Sequence, residues 1–197
     1  MGIVITRESP TSLAEYARIP IAFEVRRVLD VASWADPGQF HVSEREVEPY
    51  AKDYDGDGGP LAWPSRFDIS TWALFIAREA GRPVGGAACV FGAPDVIMLE
   101  GRNDVALLWD IRVAPEARGR GIGSALVAEV ERWSVERGAA WLEVETQDVN
   151  LPACRFYQRH GFELRSVNRN AYPELPHETQ LLWYKPLRAG LSSRAAR

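Results

Sequence analysis

The sequence is poor in cysteine and histidine, the residues that most often bind metals or crosslink chains. Its 197 residues include two cysteines, Cys89 and Cys154, which are too few for a disulfide framework or a four-thiolate zinc site. The three histidines, His41, His160 and His177, lack the close spacing of metal ligands. We therefore predict that the protein has no metal site.

An excess of positive charge and long apolar runs are also missing. The chain has 23 basic and 27 acidic residues and a net charge of -4, whereas nucleic-acid binders usually present a net basic face. No apolar run approaches the ~20 residues that cross a bilayer. The start, MGIVITRESP, lacks the basic beginning and the long apolar stretch of a secretory signal. We expect a cytoplasmic protein without a nucleic-acid or membrane partner.

What is present is an ordinary globular composition, with 46% hydrophobic and 25% charged residues. Length and composition together predict a single domain over residues 1–187. Residues 188–197 show no hydrophobic pattern, so we expect a frayed tail there.

The hydrophobic pattern predicts strands on both sides of a long helix. An amphipathic helix from Gly121 to Arg137 lies between predicted strands at 105–113 and 139–146. The segment 20–50 is ambiguous, since residues 21–29 fit either helix or strand and residues 40–49 alternate as in a strand. The Asp-, Gly- and Pro-rich segment 53–64 is typical of a loop. The alternation of strand and helix predicts an α/β (α+β) protein with at least one parallel strand pair.

A glycine-rich loop between the strand at 105–113 and the helix is the most informative segment. It reads Arg118-Gly-Arg120-Gly121-Ile-Gly123-Ser. The unpaired backbone N–H groups and the positive dipole end of the following helix favour an anion, and glycines allow a phosphate to approach the backbone. Arg118 and Arg120 add positive charge at the place where a pyrophosphate would lie.

Three phosphate-binding patterns compete for this loop. A Walker loop requires a lysine that is missing here. A dinucleotide fingerprint requires G-x-G-x-x-G directly after a strand and an acidic residue about twenty positions later. Glu143 lies near that distance, but the glycine spacing differs and the loop is too long. The third pattern, Arg-x-x-Gly-x-Gly, is satisfied by Arg118, Gly121 and Gly123.

A second motif favours the third pattern. The segment from Asn150 to Phe162 reads Asn-x-x-Ala-x-x-Phe-Tyr-x-x-x-Gly-Phe. Together, in this order and spacing, the two segments resemble the coenzyme A loop and the following motif of the GNAT acetyltransferase superfamily. The resemblance implies the GNAT fold, a mixed and strongly twisted sheet flanked by helices, in which two parallel strands splay apart to hold the cofactor.

Within this superfamily the sequence is most similar to the streptothricin acetyltransferases. The similarity includes Leu142–Asn150, Glu48–Tyr54 and Val167–Tyr172. Two departures concern the acceptor. The long acidic tract of that group is reduced here to Asp53, Asp55 and Asp57, and the segment Phe91–Asp104 is longer than theirs.

The resemblance implies acetyl-CoA as co-substrate, bound without a metal. A bulge in the strand at 105–113 is expected to free backbone groups near Ile111 and Val113 for the pantetheine arm. The residues that we expect to bind the cofactor are Ile111, Arg112, Val113, Arg118, Gly119, Arg120, Gly121, Ile122, Gly123, Ser124, Asn150, Ala153 and Tyr157.

Two residues are candidates for proton transfer. Asp110 interrupts an apolar strand and could help to remove a proton from the acceptor ammonium, whose ordinary pKa is near 10.4. It could instead pair with Arg112 or anchor a cationic substrate. Tyr157 is the candidate acid for the departing thiolate, and its alternative role is that of a core aromatic beside Phe156.

The sequence therefore predicts an N-acetyltransferase for a small cationic amine, with a streptothricin-type antibiotic as one possibility. Acetylation of a polyamine, an aminoglycoside or a peptide amine is the alternative within the class, and a non-catalytic acyl-CoA sensor is the alternative outside it. A homodimer is compatible with either. The residues expected to contact the acceptor are Tyr50, Asp53, Tyr54, Asp55 and Asp110.

Overall fold

The structure, a computed structural model, describes residues 2–33, 40–56, 58–99 and 101–187. The expected frayed tail at 188–197 lies outside the described residues, and so does Asp57 of the acidic loop.

The described residues form nine β-strands. These are β1 (Val4–Glu8), β2 (Phe23–Ser33), β3 (Phe40–Lys52), β4 (Ala73–Glu79), β5 (Arg82–Val90), β6 (Val105–Val113), β7 (Trp141–Gln147), β8 (Glu163–Asn168) and β9 (Gln180–Pro186).

Three α-helices accompany the strands: α1 (Leu13–Tyr16), α2 (Ile122–Glu136) and α3 (Leu151–Arg159). Short 3₁₀ segments lie at Pro10–Ser12, Gly59–Ser65, Ile69–Thr71, Ile97–Leu99 and Pro115–Ala117. None of the helices in the described ranges is long and apolar enough to cross a membrane.

Seven strands form one mixed sheet in the order β1-β4-β5-β6-β7-β9-β8. Strands β6 and β7 run parallel, joined through α2, and the other neighbouring pairs run antiparallel. This arrangement confirms the expected mixed α/β sheet and its parallel pair. The two strands that flank the glycine loop are thus neighbours at the centre of the sheet.

Both faces of this sheet are covered. Alternate residues of β5 belong to opposite sides of the core, Ala87 and Cys89 to one cluster and Ala88 and Val90 to the other, as the two-residue period of a strand requires. Helices α2 and α3 cover the first side with apolar residues such as Leu126. Helix α1 and the 3₁₀ segment at Gly59–Ser65 cover the second side.

Strands β2 and β3 form a separate antiparallel hairpin. It is fastened to the seven-stranded sheet by the N–H of Leu29, which donates to the carbonyl of Asp148 at 2.9 Å. A largely buried ion pair between Lys52 and Glu178, at 2.7 Å, and an exposed pair between Arg155 and Glu44 add to this attachment. The hairpin therefore lies beside the carboxyl end of β7.

Most predicted elements are confirmed. The structure decides one ambiguous segment and revises one prediction. The ambiguous segment 20–50 contains strands, and residues 59–65, expected to be loop, form a 3₁₀ segment. That segment forms because Trp63 is buried against Tyr16 and Trp72. This packing determines a backbone conformation that the turn-forming residues alone do not determine.

Candidate active site

The parallel strands β6 and β7 separate halfway along their length. They pair from Val105 opposite Trp141 to Leu108 opposite Val144, and no further. On its other side β6 has an extra residue at Trp109, because Ala88 and Cys89 of β5 lie opposite Asp110 and Leu108. A β-bulge of this kind bends a strand. The expected bulge and the expected splay of the two strands are both confirmed.

A cavity of about 460 Å³ occupies the gap between the two strands. Its walls come from β6, β7, the start of α3 and the loop after β3. Ten of the predicted site residues line it: Tyr54, Asp110, Ile111, Arg112, Val113, Arg118, Gly123, Asn150, Ala153 and Tyr157. The pantetheine-binding and catalytic candidates thus share one cavity.

The remaining glycine-loop residues lie at the N-terminus of α2, next to this cavity. Gly119 and Gly121 have φ of 74° and 80°, a left-handed conformation that favours glycine. Gly121 is the N-cap and provides no capping side chain, so the first N–H groups of the helix stay available to an anion. Ile122 is buried, and the Ser124 hydroxyl bonds the ring of His160 at 2.9 Å.

The two arginines of the loop are both held by the protein. Arg120 pairs with Glu79, with Nη1 donating to Oε2 at 3.0 Å. Arg118 donates to the backbone carbonyls of Val113 and Ala22, each at 3.0 Å. Carbonyls do not cancel the charge of a guanidinium, so Arg118 is the better placed of the two to attract a phosphate. The assignment of both to the cofactor stays a prediction.

Gly123 allows α2 and α3 to approach each other closely. A Cβ atom at this position would lie 3.2 Å from the Phe156 ring. Phe156 in turn packs against Tyr157 on α3. The glycine motif and the second motif are therefore in direct contact.

The second motif forms the start and body of α3. Asn150 is its N-cap, and its side-chain oxygen accepts from the N–H of Ala153 at 3.2 Å. Tyr157 is buried against Phe156 and Phe162 and also lines the cavity. Burial first, and then the charge of Asp110, hold the pKa of Tyr157 well above its usual range. The phenol therefore keeps its proton at any ordinary pH.

Asp110 is part of a buried network. Arg112 donates to it at 2.9 and 2.8 Å, and the hydroxyl of Tyr16 donates to it through a short hydrogen bond. The guanidinium of Arg112, whose side chain is 1% exposed, also bonds Asp55 and the carbonyl of Ile19. The alternative in which Asp110 pairs with Arg112 is thus observed, and the Arg112 side chain is directed to this network.

The predicted acceptor residues divide into two groups. Tyr54 lines the cavity, where burial raises the pKa of its phenol. Asp53 accepts from the N–H of Asp55 at 3.0 Å within the turn, and Asp55 pairs with Arg112. Neither these two aspartates nor the 40%-exposed Tyr50 line the cavity as described. Asp53 therefore stabilises the turn, and Asp55 stabilises the contact of this loop with Arg112.

Sequence reasoning missed several residues at this site. Tyr16 holds Asp110 from a distance of 94 positions, and Gly86 makes room for its ring, because a Cβ there would lie 2.4 Å from it. Glu145 and Gln147 line the cavity from β7, and Tyr172 bonds Glu145. The alternation of polar residues along Glu143-Val-Glu-Thr-Gln147 was the available signal for the two β7 residues.

The sequence matches a known family and known proteins. Residues 32–162 match the Acetyltransferase (GNAT) family. A streptothricin acetyltransferase from Escherichia coli is 32% identical over 178 residues, which are 89% of this chain and 91% of that protein.

Two solved structures have the same fold over nearly the whole chain. The crystal structure of nourseothricin acetyltransferase superimposes with a TM-score of 0.75 at 25% identity and covers 95% of this chain and 100% of that chain. A Bacillus anthracis str. Ames protein, solved in complex with acetyl coenzyme A, gives a TM-score of 0.77 at 22% identity over the same shares.

Proposed function

The chain belongs to the acetyltransferase (GNAT) family and is an N-acetyltransferase that uses acetyl-CoA; on that premise we propose that its acceptor is a small cationic amine of the streptothricin type. The similarity to a streptothricin acetyltransferase along 91% of that protein supports this acceptor class. The observation that supports the site most strongly is the cavity at the divergence of β6 and β7, which brings Asp110, Tyr157 and the glycine loop together.

The residues of the cavity fit acetyl-CoA. The exposed edge of β6 at Ile111 and Val113 offers backbone groups to the pantetheine arm, and the α2 N-terminus with Arg118 offers positive charge to the phosphates. The bound thioester would supply the activated acetyl group. The chain's own residues must bind the amine, remove its proton and protonate the sulfur.

Asp110 and Tyr157 can perform the two proton transfers. An acceptor amine with a pKa near 10.4 is protonated at neutral pH and must lose a proton before it attacks. Asp110 receives that proton, directly or through water, while Arg112 and Tyr16 hold the carboxylate in place. Tyr157 then gives its own proton to the leaving sulfur and is re-protonated, through solvent, by the second proton that the attacking nitrogen loses, while Asp110 releases the first proton to solvent.

A panel of acceptors tests the proposed function. Purified protein with acetyl-CoA is offered streptothricin, spermidine, an aminoglycoside and a peptide with a free amino terminus, and free thiol is measured. We expect streptothricin to give the highest kcat/KM. Thiol release with a peptide amine alone would contradict the acceptor class, and release with none of the amines, although acetyl-CoA binds, would favour the sensor alternative.

A further inference from the structure

Four charged side chains line the cavity, and two of them belong to one ion-pair network. Arg112 pairs with Asp110 at 2.8 Å and also with Asp55, which lies outside the cavity lining. Arg118 is bonded to backbone carbonyls, and Glu145 is bonded to neutral donors. Outside this network, and among the described residues, the cavity has one positive side chain without an ion pair, Arg118 beside the glycine loop, and one negative side chain without an ion pair, Glu145 on β7.

Glu145 is held firmly without being neutralised. The hydroxyl of Tyr172 donates to Oε1 at 2.5 Å and the amide of Gln180 donates to Oε2 at 2.7 Å. Within residues 2–33, 40–56, 58–99 and 101–187, no lysine, arginine or histidine forms an ion pair with it. A carboxylate offers about four acceptor positions, so each oxygen can accept a further bond. A partly buried carboxylate without a cation is costly.

A neighbour of Glu145 on the same strand has unused hydrogen-bonding capacity. Gln147, two residues along β7, lines the cavity and has a buried side-chain oxygen that no described residue bonds. Tyr54 also lines the cavity, and its hydroxyl interacts with the side chain of Asn150. Apolar side chains line the same cavity, among them Phe23, Met98 and Trp109. Such a wall suits an alkyl body that ends in a cationic group with several N–H donors.

The two carboxylates act at different places in the cavity. The charge of Asp110 acts on the phenol of Tyr157, whereas that of Glu145 acts on the phenols of Tyr54 and Tyr172. Asp110 is thus the carboxylate beside the proposed acid. Glu145 is instead held by Tyr172 of the segment between β8 and β9 and by Gln180 of β9.

We propose that Glu145, oriented by Tyr172 and Gln180, binds a second cationic group of the acceptor, so that the preferred substrates are amines with at least two positive charges. This inference rests on the proposed function, since it assigns the non-reacting end of the same acceptor. Glu145 is then a specificity-determining residue, separate from the residues that transfer protons.

Removal of the charge at Glu145 tests the proposal. In Glu145→Gln the shape is kept and the charge is lost, so KM for streptothricin should rise roughly tenfold to a hundredfold, as loss of a charge-assisted hydrogen bond predicts. We expect kcat within about twofold of wild type and an unchanged Kd for acetyl-CoA. For Glu145→Asp, which retains the charge, KM for streptothricin should lie between the values for wild type and Glu145→Gln. Glu163→Gln, an exposed change paired with Arg165, is the matched control and should have no effect.

A comparison of two amines tests by binding alone, without turnover, whether Glu145 binds a second cationic group. Cadaverine and pentylamine share a chain length and differ in the second ammonium group, and their binding to the CoA-saturated wild-type protein is measured by calorimetry. We expect cadaverine to bind at least about tenfold more tightly, and Glu145→Gln to abolish this preference. Equal binding of the two amines to wild type would overturn the proposal, as would an unchanged KM for streptothricin in Glu145→Gln.

Failure of the proposed function and failure of the Glu145 proposal give different results. If streptothricin is not acetylated at all, the proposed function fails, but the preference for cadaverine still tests Glu145. If Glu145→Gln does not fold, the comparison of cadaverine with pentylamine on the wild-type protein decides alone.

Discussion

Tyr157 has the packing of a core aromatic and the position that the proposed acid requires. It is packed between Phe156 and Phe162 and lines the cavity. Burial and Asp110 raise its pKa, so the phenol stays protonated at neutral pH and cannot serve as a base there. Its packing fixes the ring, so a core aromatic and the proposed acid can be the same residue.

Replacement of Tyr157 by phenylalanine separates these roles. The ring and its packing remain, and only the proton is lost. We expect kcat to fall by roughly 10²–10⁴-fold, with the Kd for acetyl-CoA and the melting temperature nearly unchanged. Steady-state kinetics with calorimetry of acetyl-CoA binding measure this. A variant within about twofold of wild-type kcat would show that Tyr157 is a core aromatic only.

For Asp110, the sequence identified the residue but not its surroundings. The two-residue period of this strand and the polar residue Asp110 within it are both evident in the local sequence. Tyr16 and Asp55 reach the Asp110–Arg112 pair from 94 and 57 positions away, respectively, and such contacts depend on the whole fold. Long-range partners of this kind are invisible to motif spacing, because motifs record only local order.

At the scale of elements, the glycine loop and α3 were predictable because their conformations are dictated locally. Positive φ at Gly119 and Gly121 and the cap at Asn150 follow from residue type. Strand β2 was ambiguous because an irregularity between Val25 and Arg27 interrupts its two-residue period. Its buried residues Val25, Val28 and Leu29 consequently have a spacing that also fits a helix.

The N-terminus of α2 is expected to bind the phosphates of acetyl-CoA, and two glycines allow a matched test. Gly121 and Gly138 flank α2, both have positive φ, and neither has an atom within 4 Å of an added Cβ. Glutamate causes similar backbone strain at either position but places an anion at the proposed phosphate site only at Gly121.

We therefore expect Gly121→Glu to abolish the stabilisation by acetyl-CoA, and Gly138→Glu to retain it. Ligand at about a hundred times Kd adds about 2.7 kcal/mol to the free energy of unfolding, which appears as a rise in melting temperature. If both variants respond to acetyl-CoA as the wild type does, the phosphates bind elsewhere.

At the scale of the whole molecule, Asp148 joins the hairpin to the seven-stranded sheet. Its carbonyl accepts from Leu29 and its side chain accepts from the N–H of Thr179 at 3.0 Å. Burial raises the pKa of this carboxyl above its usual value, with a further contribution from Glu178. The folded state thus binds the proton of Asp148 more tightly than the unfolded state, and this stabilisation is lost as pH rises through the raised pKa.

Asp148→Asn should consequently raise the melting temperature at neutral pH, because the amide keeps an acceptor oxygen and has no charge to desolvate. The difference from wild type should shrink as pH falls below the raised pKa. Melting curves between about pH 4 and pH 8 measure this. Asp68→Asn is the control with the opposite sign. Hydrogen bonds from Ser70 lower the pKa of Asp68, so the folded state favours the charged carboxylate. Removal of that charge should not raise the melting temperature. An Asp148→Asn variant less stable than wild type at neutral pH would contradict the assignment.

We propose that this chain acetylates a small polycationic amine of the streptothricin type. The mass of streptothricin after incubation with acetyl-CoA and the wild-type protein, with Gly121→Glu in parallel, tests this acceptor. We predict that wild type adds a single acetyl group and that Gly121→Glu adds none under the same conditions. Streptothricin that stays unmodified while wild type acetylates a neutral or peptide amine would contradict the claim.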